Sequence, residues 1–150
     1  MLPFLLIHNV WAWFQLTSAN YIEHYGLLRQ KNDNGKYERC QPHHSWNANY
    51  IISNLAFFHI ERHSDHHANP TRRYQSLRNF ADLPELPNGY TGMYLIAYVP
   101  WLWFRVMDAR LLALPHIDSD LTKVNIDPRK REKILVRYGS DLSMPTVQSA

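Results

Sequence analysis

The stretch HIERHSDHHANP, residues 59–70, holds four of the chain's nine histidines and decides how the rest is read. On an α-helix, at about 100° per residue, His63, His66 and His67 fall at about 40°, −20° and 80° from His59, so four imidazoles share one arc roughly 100° wide. Glu61 and Asp65 fall on the far side, at about 200° and 240°. Side chains three and four residues apart meet on a helix surface, so His63, His66 and His67 can converge on one point or on two adjacent points. Crowding like titratable groups in this way is unfavourable unless something uses them. The neutral imidazole is a good ligand at pH 7 for Zn, Cu, Fe and Ni, and an H-x-x-H-H run can serve one ion or two side by side. His59, one turn earlier, reads as a packing partner or as a group behind the ligands. Asp65 and Glu61 are candidates to orient ligand rings, or else solvated charges.

Around this run the pattern predicts a helix over 45–69. Ser45 is an N-cap candidate before Trp46, and Pro70 disfavours helical geometry at Asn69. Upstream, Met1 to Ile22 carries no charged side chain, and residues 1–25 have the length of a membrane-spanning helix, which needs about 20 mostly apolar residues. His8, Asn9 and Gln15 make it less apolar than a simple anchor, which fits a span packed against other spans, with a buried helix of a soluble protein as the alternative. Gly26 to His44 reads as a loop around Asn32-Asp33-Asn34-Gly35. Downstream, residues 86–107 form a second largely uncharged segment. Trp101, Trp103 and Arg105 resemble an interfacial belt and Pro100 kinks the helix, so an interfacial or partly inserted helix is expected. Residues 116–150 read as a polar tail, its last ten frayed.

The fold class expected is therefore all-α: one domain, a membrane helical bundle with a histidine-bearing helix and a polar C-terminal tail. A single cysteine, Cys40, excludes an internal disulfide and any cysteine-based zinc or iron–sulfur site. The mildly basic balance invites a nucleic-acid reading, but the basic residues cluster at Arg62 to Arg78 and after Pro128 without a binding motif, so no nucleic-acid partner is expected.

Three stretches carry a resemblance to a known family. HIERHSDHHANPTRRYQSLR, residues 59–78, resembles the third histidine motif of the integral-membrane alkane 1-monooxygenases. NYIEHYGL, residues 20–27, is similar to that family's single-histidine signature, and residues 84–111 look like the region that follows the third motif. H-x-x-H-H alone is shared with membrane fatty-acid desaturases; NYIEHYGL narrows the likeness to alkane monooxygenases and their xylene-oxidising relatives.

The resemblance implies a histidine-ligated site of two iron ions that uses O2 to hydroxylate the terminal carbon of a medium- or long-chain n-alkane. It also implies rubredoxin as electron donor and a multi-pass place in the bacterial inner membrane, among lipid, with the site toward the cytoplasm. Carried over by position, His24, His63, His66 and His67 are the metal ligands. Glu23, His59 and Asp65 are candidates for a supporting layer, and Leu5, Trp11, Trp13 and Phe14 are candidates to line an apolar substrate channel. Arg72, Arg73 and Arg78 either guide an acidic donor or follow the positive-inside tendency. Alternatives are a related desaturase or xylene-type hydroxylase, or a non-catalytic metal-binding membrane protein. The family's two other motifs, H-E-x-x-H and E-H-x-x-G-H-H, do not occur here. The chain is thus expected to be the C-terminal part of such an enzyme and inactive by itself.

Overall fold

The computed structural model describes residues 1–138, and the frayed end expected for the last ten residues lies outside them. Six α-helices order the described residues: α1 Leu2–His24, α2 Ile51–Ala56, α3 His63–Ala68, α4 Tyr90–Ala97, α5 Pro100–Leu112 and α6 Arg131–Tyr138. Strand pairing among the described residues is limited to three isolated bridges, so the all-α expectation holds.

α1 has Pro3 in its first turn, where a missing N–H costs nothing, and runs uninterrupted for 23 residues. It ends because Gly26 adopts φ 71°, and a Cβ there would meet Leu111 Cδ2 at 2.2 Å. The carbonyls left open at its end find donors across the loop. The Trp46 backbone N–H donates to Glu23 O at 2.8 Å, the Trp46 indole to Tyr25 O at 2.8 Å, and the Leu27 N–H to His24 O at 3.3 Å. Residues 45–50 are thereby held extended against the end of α1, although the sequence pattern placed them in a helix.

The single helix expected over 45–69 is therefore two short helices, α2 and α3, separated by a turn. Phe58 and His59 take φ 51° and 58°, and the His59 N–H reaches back to Asn54 O at 2.7 Å, a wide C-terminal closure that ends α2. This left-handed pair turns the chain, so His59 and His63 belong to different local frames and the shared arc holds only for His63, His66 and His67. The stop before Pro70 is as read.

Residues 86–107 likewise form no single helix. Val99 precedes Pro100 and sits at φ −118°, ψ 86°, as the residue before proline is pushed to do; α5 then starts on Pro100 and continues to Leu112. α4 packs on α1 and on α5. Phe14 stacks on Tyr98 at 5.5 Å between ring centres, and the Tyr94 hydroxyl donates to Gln15 O at 3.2 Å. Ile22, Trp46, Tyr90, Met93, Trp103 and Met107 form the core, each no more than 1% exposed. Ile117 and Leu121 are also buried, so the start of the supposed polar tail packs onto the body. No helix among the described residues is long and apolar enough to cross a membrane. α1 has the length, but His8, Asn9, Gln15, Thr17, Ser18 and Asn20 interrupt its apolar run.

Candidate metal centre

Three segments meet at the end of α1. α1 delivers Glu23 and His24; the 3-10 turn Pro42–His44 lies against α3; α3 delivers His63 and His67. One coordinating atom from each of His24, His63 and His67 can be chosen so that all lie within 4.8 Å of one another. His63 is the hub, with its Nε2 at 2.8 Å from His67 Nε2 and 3.3 Å from His24 Nε2. Glu23 Oε2 stands 3.2 Å from the same His63 nitrogen, while its Oε1 accepts the Tyr90 hydroxyl at 2.5 Å.

Burial and like neighbours disfavour the charged forms of the His63 and His67 rings. Burial, then the neighbouring His67, His24 and His66, pushes His63 down to about 2. Burial, then His24 and His66, lowers His67 as well. Burial pushes the Glu23 carboxyl up to about 7, against the Tyr90 hydrogen bond that favours its charged form. His24 Nδ1 lies 3.2 Å from the His44 carbonyl. A ring that donates its Nδ1–H to a carbonyl offers Nε2 to an ion, as metal-ligating histidines commonly do.

This donor set fits a transition metal. With metal–nitrogen bonds of about 2.0–2.1 Å, two nitrogens on one ion stand about 3 Å apart, and the separations around His63 Nε2 bracket that spacing. Without an ion, lone pairs of neutral imidazoles would face one another with too few protons to bridge them all. The His63 Nδ1, buried without a hydrogen-bond partner among the described residues, fits an imidazole held by its other nitrogen.

Of the four ligands expected, His66 stands outside the trio. Its ring centre is 5.9 Å from that of His63 and 5.7 Å from that of His67. His59 sits in the turn before α3, tilted on Tyr74 at 6.5 Å between ring centres. Asp65 is fully buried but faces away from the rings. It accepts the Arg78 N–H at 2.9 Å, the Arg78 guanidinium at 3.1 Å and the Asn69 amide at 2.8 Å, and it pairs with Arg72 at 3.3 Å. Burial alone would raise its carboxyl, yet the Arg78 and Asn69 hydrogen bonds hold it below the usual range. Asp65 thus staples residues 69–78 onto α3, and two of the three arginines considered for donor steering are spent on it. Glu61 also turns from the rings and accepts the Ser53 hydroxyl and the Tyr90 N–H, capping α4. Leu5, Trp11, Trp13 and Phe14 are all exposed, on the first turns of α1, which are exposed on every face.

Asn47 is the residue sequence reasoning missed. It is 3% exposed; its Oδ1 accepts the Ser64 N–H at 2.9 Å, and its Nδ2 donates to Ser64 Oγ at 2.6 Å and Ser45 O at 3.0 Å. The first turn of an α-helix has N–H groups without intrahelical partners, and Asn47 supplies one from a distant segment, next to His63. The sequence around it, QPHHSWNAN at residues 41–49, gave no periodicity to find it by.

The sequence model of the fatty acid desaturase family matches residues 1–97. The chain is 56% identical, over 93% of its length, to alkane 1-monooxygenase 1 of Alcanivorax borkumensis, and covers 34% of that protein. It is 57% identical to alkane 1-monooxygenase of Ectopseudomonas oleovorans over the same shares of the two chains. To the hydroxylase component of xylene/toluene monooxygenase of Pseudomonas putida it is 31% identical over 59% of its length, covering 22% of that protein. The chain thus spans about a third of the length of the alkane monooxygenases it matches. Because the matched residues run from α1 to the end of α4 and contain the whole histidine trio, the chain belongs to the fatty acid desaturase family.

Proposed function

We propose that this chain forms part of a membrane-bound, non-haem di-iron monooxygenase that hydroxylates the terminal carbon of medium- or long-chain n-alkanes, with electrons from rubredoxin. The observation that carries the reading is the convergence of His24, His63 and His67 on one point beside Glu23. The identity of 56–57% to two alkane 1-monooxygenases supports the alkane as substrate. Iron bound there would supply O2 activation, one oxygen atom going into the C–H bond and the other to water.

The chain's own residues would prepare that chemistry. His63 stays neutral because it is buried, so its lone pair is free at physiological pH. The His44 carbonyl fixes which nitrogen of His24 is offered, and Tyr90 fixes which Glu23 oxygen faces the rings. Asn47 and Asp65 hold the two ends of α3, so His63 and His67 are set by α3 rather than by induced fit. His66, on the same short helix but outside the trio, is proposed as a ligand to the second iron. The exposed apolar side chains of the first turns of α1 support contact with lipid or with further helices, and the histidine corner is proposed to face the cytoplasm at the bacterial inner membrane.

The test is made in the complete protein carrying this segment. With rubredoxin, its reductase and n-octane, 1-octanol should form, and His63→Ala should abolish both product and bound iron. Retention of full iron and activity by His63→Ala would sink the proposal. An alkene product would indicate a desaturase instead, and methyl oxidation of xylene in preference to octane the xylene-type enzyme.

A further inference from the structure

A second group of imidazoles lies on the other side of the turn that supports His24. The rings of His43 and His44 are 4.1 Å apart between centres, and those of His43 and His116 5.1 Å. The latter separation matches those inside the trio, 5.0 Å for His24 with His67 and 5.1 Å for His24 with His63. His44 is not free to ligate: its Nδ1 accepts the Gln41 N–H at 2.9 Å and its Nε2 lies 3.2 Å from Glu38 Oε1. His43 and His116 differ, since among the described residues neither ring nitrogen of either one has a hydrogen-bond partner, and both rings are only half-buried.

Both are also mounted on firm supports. His43 is the middle residue of the 3-10 turn Pro42–His44, and His116 precedes Ile117, whose buried side chain anchors the turn after α5. Two imidazoles from segments so far apart in sequence are thus held side by side, 5.1 Å apart between ring centres. The Glu38 carboxylate, kept charged by the Gln30 N–H, sits on the His44 side and supplies negative charge nearby. Lys123, whose charge acts on His116, is paired at 3.9 Å with Asp120.

We propose that His43 and His116 form a second metal site, a two-imidazole seat completed by water for a borderline divalent cation such as Cu2+ or Zn2+. Imidazole nitrogen suits these ions, and Cu2+ binds such donors most tightly among the first-row divalent metals. The site does not depend on the trio, but it shares a support with it, because the His44 carbonyl next door holds the His24 ring.

The intact protein is titrated with Cu2+ alone and followed by electron paramagnetic resonance. The expected result is a copper equivalent that shows coupling to two imidazole nitrogens, survives His67→Gln and disappears in His116→Gln. His116→Gln keeping every copper equivalent of the unsubstituted protein overturns the site, as does the absence of any equivalent that survives His67→Gln. Circular dichroism checks that His116→Gln is folded. Should it not be, His43→Gln is judged by the same two outcomes, and the nitrogen count is read on the unsubstituted protein.

Discussion

The front of α1 and the corner at its far end invert the usual distribution of side chains. From Leu2 to Leu16 the helix is apolar except at His8, Asn9 and Gln15, yet Phe4, Ile7, Val10, Trp11, Trp13 and Leu16 are all more than 60% exposed. At the corner, Glu23, Asn47, Glu61, His63, Ser64 and Asp65 are polar or ionisable, and none is more than 6% exposed. Burying such groups is costly unless each finds a partner, so the corner is dense with short, specific contacts. The difference teaches that the corner is held chiefly by partnered polar groups, with His63 Nδ1 left over, whereas the front of α1 gains little from burial.

The comparison can be broken or sharpened by substitution. The largest effect is expected at the hub of the trio, where His63→Ala should remove essentially all metal bound there, as measured by elemental analysis of the purified protein. Equal metal content in variant and parent would mean that the corner's polar burial serves no ion. On α1 itself, Ile22→Ala at the buried end should cost about 2–4 kcal/mol in chemical unfolding, because a fully buried branched side chain leaves a cavity. Asp65→Ala should cost about 2–3 kcal/mol, since it strips partners from the Arg78 N–H and from two arginines that are themselves partly solvated. Its pH signature follows from a carboxyl held below its unfolded value: the contribution is complete above about pH 4 and is lost as pH falls through the folded pKa. Asp65→Asn should therefore flatten acid unfolding below about pH 4, and an unchanged acid limb would contradict the staple.

Asn47→Ala should cost about 1–3 kcal/mol by orphaning the Ser64 N–H. It should also broaden the electronic spectrum of Co2+ substituted at the trio, a change that loss of stability alone would not produce. The smallest effect is reserved for the front of α1, where Leu6→Ser should stay within about 0.5 kcal/mol because the side chain buries little. A cost as large as that of Ile22→Ala would show that the front is covered in solution.

Much of the candidate centre was legible because it rests on local geometry. The spacing of His63, His66 and His67 needs only one helical turn, and Pro70 stops that turn whatever surrounds it. His24 was legible only through a resemblance, since nothing near it in the chain brings it to α3. The continuous helix over 45–69 failed for a reason no periodicity contains: Trp46 is worth more as a double donor to the end of α1 than as a helical residue, and Phe58 and His59 turn through left-handed backbone. Asp65 read equally well as solvated or as supporting the rings, and the choice of Arg72 and Arg78 as its partners depends on how residues 69–78 fold back.

By itself, then, the sequence determined what short-range physics can settle: the all-α class, the helix stop before Pro70, and three imidazoles on one turn. The tertiary structure decided which of those imidazoles meet His24, which carboxylate faces them, and that Asn47 and Asp65 clamp the helix between. Those outcomes depend on contacts between residues 13 to 67 positions apart, whose hydrogen bonds exist only once the end of α1, the turn at Pro42, residues 69–78 and α4 are packed together.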